Sequence, residues 1–164
     1  MTLDLAIVEF SDDLAPAFHA INAAWIDAMF TIEPHDAHVL AHPRETIIDA
    51  GGVILFARHP TLGVVGAGAL MPTAPGAIEL TKMGVSESAR GLGAGRVLLA
   101  ALIERAGAMA PETFYLLTNR RCAAAIHLYE AAGFVHDAGI AAQFGATYAR
   151  CDVAMRHPLG AGPQ

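Results

Sequence analysis

The chain is 164 residues long, one domain by length, and its 54% hydrophobic against 16% charged residues exclude intrinsic disorder. Mean hydropathy is +0.43, but an acid, arginine, histidine, proline or glycine interrupts every apolar run before the ~18 residues a spanning helix needs. Sixteen acids against ten bases give a net charge of -6, the wrong sign for a protein that binds by neutralising nucleic-acid phosphates. No membrane or nucleic-acid partner is therefore expected. The opening MTLDLAIVEFSDD places acids where a secretory signal needs basic residues, so the expected location is the cytoplasm. Cys122 and Cys151 form no CxxC pair and read as packed, reduced thiols.

In chain order, LDLAIVEF alternates as a strand over 3–10, and Ser11-Asp12-Asp13 offers an N-cap for a helix over about 14–30. Phe18, Ile21, Trp25 and Met29 recur at spacings of three and four and predict its buried face. Glu33-Pro34 starts a short second helix, and His42-Pro43 a third piece that ends at Gly51-Gly52. Three strand-like runs follow, over 53–59, 62–72 and 77–85, separated by turn residues and read as an antiparallel meander. After Arg90 a glycine run opens a helix to about Met109, which Pro111 closes. A covered strand over 113–119 comes next, and this strand, helix, strand order implies a right-handed crossover to a parallel neighbour. A helix over 123–132 stops at Gly133; a short strand at Phe134-Val135, a small-residue loop over 139–145 and a last strand over 148–155 complete the chain. Residues 1–158 read as a single domain and 159–164 as a tail.

Arg90-Gly91-Leu92-Gly93-Ala94-Gly95-Arg96 lies between a strand and an amphipathic helix. Small residues there let backbone N–H groups converge on an anion at the positive end of the helix dipole, which makes a phosphate cradle. A nucleoside-triphosphate loop would need Gly-Lys-Ser/Thr where Gly95-Arg96-Val97 stands. A dinucleotide fingerprint lacks its third glycine and its acid after the next strand.

The run resembles the signature of the GNAT superfamily of acyl-CoA-dependent N-acyltransferases, Arg/Gln-x-x-Gly-x-Gly/Ala. ELTKMGVSESARGLGAGRVLLAALIERA resembles that family's motif A and TNRRCAAAIHLYEAAGFV its motif B. The resemblance implies an α/β (α+β-like) fold, with a mixed, mostly antiparallel sheet flanked by helices and splayed between its fourth and fifth strands. It implies acetyl-CoA as cosubstrate, no metal, and direct acetyl transfer to a small-molecule or peptide amine in a ternary complex; a homodimer is compatible with it. The cofactor pyrophosphate would lie on Arg90, Gly91, Gly93, Ala94, Gly95 and Arg96, and the pantetheine along Met83 and Val85, with Asn119 supporting it. A bacterial subgroup pattern is also matched by Trp25, Phe30, Ile32-Glu33, Gly51-Gly52 and Tyr148-Ala149-Arg150, with Asp152 where that pattern has Asn.

An alkylammonium acceptor, with pKa about 10.4, must lose a proton before it attacks a thioester. Alternation over 77–85 would put Glu79, Thr81, Met83 and Val85 on one face and Lys82 on the other. Glu79 matches the base position of some family members; the alternative is a strand carboxylate that pairs with Lys82 or meets solvent. Tyr129 stands where many relatives donate a proton to the departing thiolate; the alternative is an aromatic packed on the sheet. Trp25, Phe30 and Glu33 would line the acceptor mouth. His35, His38 and His42 share a helical face but lack the thiolate or carboxylate partners of a zinc site. The rival reading is a CoA-binding or sensory module without turnover, which a CoA-release assay distinguishes.

Overall fold

The computed structural model describes residues 4–159. Leu3 of the predicted first strand and residues 160–164 of the predicted tail lie outside the described residues, while Leu159 packs against the core.

The first four strands pair in the order of the chain, as short turns between alternating apolar runs dictate. They are β1 (Ala6–Glu9), β2 (Val53–His59), β3 (Gly63–Ala74) and β4 (Ala77–Val85), each antiparallel to the next. Helix α3 (Ala94–Met109) then crosses over, and β5 (Thr113–Thr118) returns parallel to β4. The sheet continues through β7 (Val153–His157) to β6 (Val135–His136), giving the order β1-β2-β3-β4-β5-β7-β6. The β4–β5 pairing runs from Ala77↔Thr113 to Leu80↔Leu116 and ends there, so the sheet opens where it was expected to splay.

Helices cover both faces. On one side α3 buries Leu98, Leu99 and Leu102 against Leu55, Leu70 and Leu80. On the other, α1 (Ala15–Met29) and α2 (Pro34–Ala41) pack Phe18, Ile26, Val39 and Leu40 on Ile54, Phe56 and Met71. The buried stripe of α1 is Phe18, Asn22 and Ile26, with Ile21 and Trp25 only partly covered. It is thus rotated from the predicted Phe18, Ile21, Trp25, Met29 stripe because a polar residue holds the centre. Asn22 donates to the Phe18 carbonyl at 3.0 Å and accepts from Trp25 Nε1 at 2.9 Å, so its burial leaves no polar group orphaned.

α4 (Ala123–Ala131) ends as its glycine predicts: Gly133 has φ 107°, its N–H reaches the Glu130 carbonyl, and Phe134 N–H reaches that of Tyr129. Two expectations near the C-terminus fail. Residues 139–145 are mostly helix, α5 (Ala138–Phe144), capped by Asp137, whose side chain accepts from Ile140 N–H at 2.9 Å. Ile140 and Phe144, one turn apart, pack it on Tyr115, a signal that its many small residues obscured. The last strand starts at Val153 rather than Tyr148, because the amides of Ala149 and Arg150 are taken by the Glu33 carboxylate instead of a neighbouring strand.

Candidate active site

Opposite Gly68, two residues of β4 stand against one of β3: Ala67 pairs with Gly84 and Ala69 with Thr81. The extra residue is a β-bulge, and Lys82 sits in it at φ 51°, a left-handed conformation that non-glycine residues rarely adopt. Alternation therefore slips by one. Ile78, Leu80, Met83 and Val85 face the α3 side, whereas Lys82 stays with Glu79 and Thr81 on the other. The expected grouping of Glu79 and Thr81 with Met83 and Val85, and the opposite facing of Lys82, are thereby corrected. After the bulge Gly84 meets α1, where a Cβ would stand 2.4 Å from Trp25 Cδ1.

Lys82, 4% exposed, does not pair with Glu79. Its Nζ donates to Asp36 Oδ1 at 2.9 Å and to the Tyr148 hydroxyl at 3.1 Å. Asp36, fully buried, also accepts two bonds from Arg150, at 2.5 and 2.9 Å, and one from Glu33 N–H at 2.9 Å. Burial would push the Asp36 carboxyl up, but Arg150 and Lys82 outweigh it and hold the group at about 2. The Tyr148 ring is flanked by both cations, Lys82 at 4.6 Å and Arg150 at 4.7 Å from its centroid. Two cations, Lys82 and Arg150, thus balance two carboxylates, Glu33 and Asp36.

That balance leaves Glu79 unmatched. It is 1% exposed, and its Oε1 has no hydrogen-bond partner among the described residues. Burial pushes its carboxyl up to about 7, against the pull of Lys82 and Arg150 and with Asp36 adding to the rise. It lines a cavity of about 410 Å³ with His35 and His38 of α2, Tyr115 of β5 and Phe144 of α5.

A separate cavity of about 430 Å³ occupies the splay. One edge is β4 from Leu80 to Val85, the other is β5 from Leu116 to Thr118, and the start of α4, Cys122 to Ala125, closes its end. Tyr129 and Tyr148 both line it. Burial, with a smaller contribution from Cys122, pushes the Tyr129 phenol up to about 12, and its ring packs edge-on to Phe134 at 5.9 Å. Arg90 and Arg121 also line this cavity.

Beside its mouth the glycine run turns into α3. Gly91 and Gly93 take φ of 81° and 76°, which only glycine adopts freely, and Gly93 is the N-cap. Val97 N–H makes the first helical bond, to the Gly93 carbonyl, so the amides of Gly93, Ala94, Gly95 and Arg96 have no partner within the helix. Gly95 lies against Leu128 and Val85, where a Cβ would be 3.4 Å from the leucine. This is a cradle of the shape and polarity that a pyrophosphate fits.

The remaining predicted residues are placed as follows. Trp25 lines the splay cavity. Phe30 stacks under Arg121 at 5.0 Å and Arg150 at 6.0 Å. Glu33 is committed to Arg150 and the amides of 149 and 150, and Asn119 donates to the Arg150 carbonyl at 2.6 Å while accepting from Arg121 N–H at 2.8 Å. Both side chains thus fix loops around the site rather than opening into a cavity. Asp152 accepts from Arg120 N–H at 3.0 Å. His38 and His42 lie 5.2 Å apart, and among the described residues no cluster of three or more His, Cys, Asp or Glu could hold a metal ion. No helix among them is long and apolar enough to cross a membrane. Sequence reasoning missed the Lys82–Asp36–Arg150 cluster; its signal was a lysine in the middle of an apolar strand.

A family model described as an acetyltransferase (GNAT) domain matches residues 50–136, from the turn before β2 through β6. No curated protein sequence matches the chain. Among solved structures, a GNAT-family acetyltransferase from Staphylococcus aureus Mu50 superposes with a TM-score of 0.82 at 18% identity, over 93% of this chain and 98% of that one. A GCN5-related N-acetyltransferase from Kribbella flavida gives 0.72 at 19% identity, over 94% and 98%. A ribosomal-protein-alanine N-acetyltransferase from Brucella melitensis gives 0.69 at 26% identity, over 92% and 98%.

Proposed function

The chain belongs to the GNAT family of acetyltransferases, and from that premise we propose that it moves an acetyl group from acetyl-CoA to a primary amine by direct attack. The observation that supports this reading is the position of the glycine turn beside the splay: Gly95 lies against Val85 and Leu128, which line the splay cavity together with Tyr129. Acetyl-CoA supplies a thioester whose carbonyl carbon is the electrophile.

Each part of the chain has a task in this reading. The amides of Gly93 to Arg96, with Gly91 shaping the turn, hold the pyrophosphate, and Arg90, Arg96 and Arg121 add positive charge around it. The β4 edge at Met83 and Val85, which β5 no longer pairs, offers its backbone to the pantetheine amides. Glu79 takes the proton of the incoming ammonium at its unpartnered Oε1, and a carboxyl poised near 7 suits that task at neutral pH. As the C–N bond forms and the C–S bond breaks, Tyr129 gives its proton to the sulfur, and the nitrogen loses its second proton to solvent to become the amide. Tyr129 is reprotonated from solvent, while Glu79 releases the first proton there. Thr81 and Tyr148 stand between Glu79 and the splay, with their hydroxyls 3.4 Å apart.

Acetyl-CoA at about 100 times its Kd should raise stability by roughly 2.7 kcal/mol. Gly93→Val, which puts a branched side chain on a left-handed residue in the cradle, should abolish that gain. A melting temperature indifferent to millimolar acetyl-CoA would sink the reading. Stabilisation without CoA release across an amine panel would mark a binding module instead.

A further inference from the structure

We infer that the cavity of about 410 Å³ beside Glu79 is the acceptor chamber, and that it takes a primary monoamine carried on an uncharged, apolar body. The inference rests on the acetyltransferase reading and deepens it. The two cavities are sorted by charge. The splay is lined by Lys82, Arg90, Arg121 and Arg150 and by no acid. The second chamber is lined by Glu79 and by no lysine or arginine. Tyr148 stands between them: it lines the splay, and His35 of the second chamber packs on its ring at 5.3 Å.

The lining specifies the ligand. A buried carboxylate whose Oε1 lacks a partner accepts an ammonium and would otherwise remain unsatisfied. There is one such carboxylate, so a polyamine would bring further charges with no counter-charge in the chamber. A free amino acid would bring its own carboxylate beside Glu79 with neither lysine nor arginine to receive it. His35 does not replace them, because burial and the neighbouring Lys82 lower its pKa. Val39, Met71, Pro72 and the stacked pair of Tyr115 and Phe144, 4.1 Å between centroids, provide apolar contact for the body of the amine.

Calorimetric titration of the protein at pH 8 with phenethylamine, phenylalanine or spermidine, with and without CoA in place of the acyl donor, and separately with acetyl-CoA alone, tests this without turnover. Phenethylamine should bind at least about tenfold more tightly than either of the others, a difference of roughly 1.4 kcal/mol. Thr147→Trp, at an exposed lining position, should weaken phenethylamine at least tenfold and leave the acetyl-CoA Kd within twofold. Equal or stronger binding of phenylalanine or spermidine overturns the inference, as does an unchanged phenethylamine Kd in Thr147→Trp. Failure of acetyl-CoA to bind, read in the same series, counts against the acetyltransferase reading and is separate from the ranking of the amines.

Discussion

Replacing Glu79 with Gln should make the protein both slower and more stable above neutral pH. The carboxyl is buried and its pKa stands at about 7 against an ordinary 4.5. Below the lower value the group is protonated in folded and unfolded chains alike and costs nothing. Between the two values the unfolded chain ionises first, and above 7 the folded chain carries the full cost of a buried, unmatched charge. A shift of this size corresponds to about 3 kcal/mol lost as pH rises through that window. Gln has the shape of the protonated acid and no charge to lose. The variant should therefore match wild type near pH 4.5 and melt about 6–12 °C higher at pH 8.5, since 1 kcal/mol is about 2–4 °C in a chain of this size. The groups facing Glu79 are His35, His38 and Asp36 on α2, Thr81 and Lys82 on β4, Tyr115 on β5, and Tyr148 and Arg150 before β7. They are present in both proteins, so the difference between the two melting curves isolates Glu79. In parallel, the rise of kcat/KM through about pH 7 should vanish in the variant. Parallel melting curves across the whole range would show that Glu79 ionises normally, and the argument for it as a base poised by burial would fall.

Three further outcomes are expected. Tyr129→Phe keeps the ring on Phe134 and should leave acetyl-CoA affinity unchanged while lowering kcat by about 10²-fold, the low end for a general acid, because a phenol near 12 is a weak donor to a thiolate. Activity within threefold of wild type would return it to a packing role. Asp36→Asn leaves buried Lys82 without a carboxylate partner and Arg150 with Glu33 alone, and should lower the unfolding free energy by about 3–5 kcal/mol, read from the urea midpoint. Because the Asp36 carboxyl is held at about 2, its contribution persists down to its unfolded value of 3.8 and disappears as pH falls through 2, so acid unfolding of wild type but not of Asp36→Asn should carry this steep component.

The sheet was legible because its signals are local. Turn residues separate the apolar runs of β2, β3 and β4, and Gly133 and Pro111 mark helix ends where the structure has them. The glycine turn was legible for the same reason, since positive φ at Gly91 and Gly93 is written in the residue type. The bulge was not. A lysine at φ 51° has no propensity signature, and a one-residue slip reassigns the face of every later side chain on the strand. The charge cluster was hidden because Asp36, Lys82 and Arg150 meet only in the folded chain. α5 was lost because Ala and Gly dilute its two anchoring residues, Ile140 and Phe144, to the appearance of a loop.

The clasp between Asp36 and Arg150 also sets an order of events during synthesis. The two partners are 114 positions apart, and closing a loop of that length costs roughly 4 kcal/mol plus a constant. Lys82 can meet Asp36 once β4 has been made, but the second cation emerges from the ribosome only after α3, β5, α4 and α5. Until then Asp36 lacks its two bonds from Arg150, and Glu33 lacks those from the amides of Ala149 and Arg150, so α2 has reason to stay loose on a nascent chain that already holds most of its sheet. The α2 side of the molecule is therefore expected to be a late-folding region.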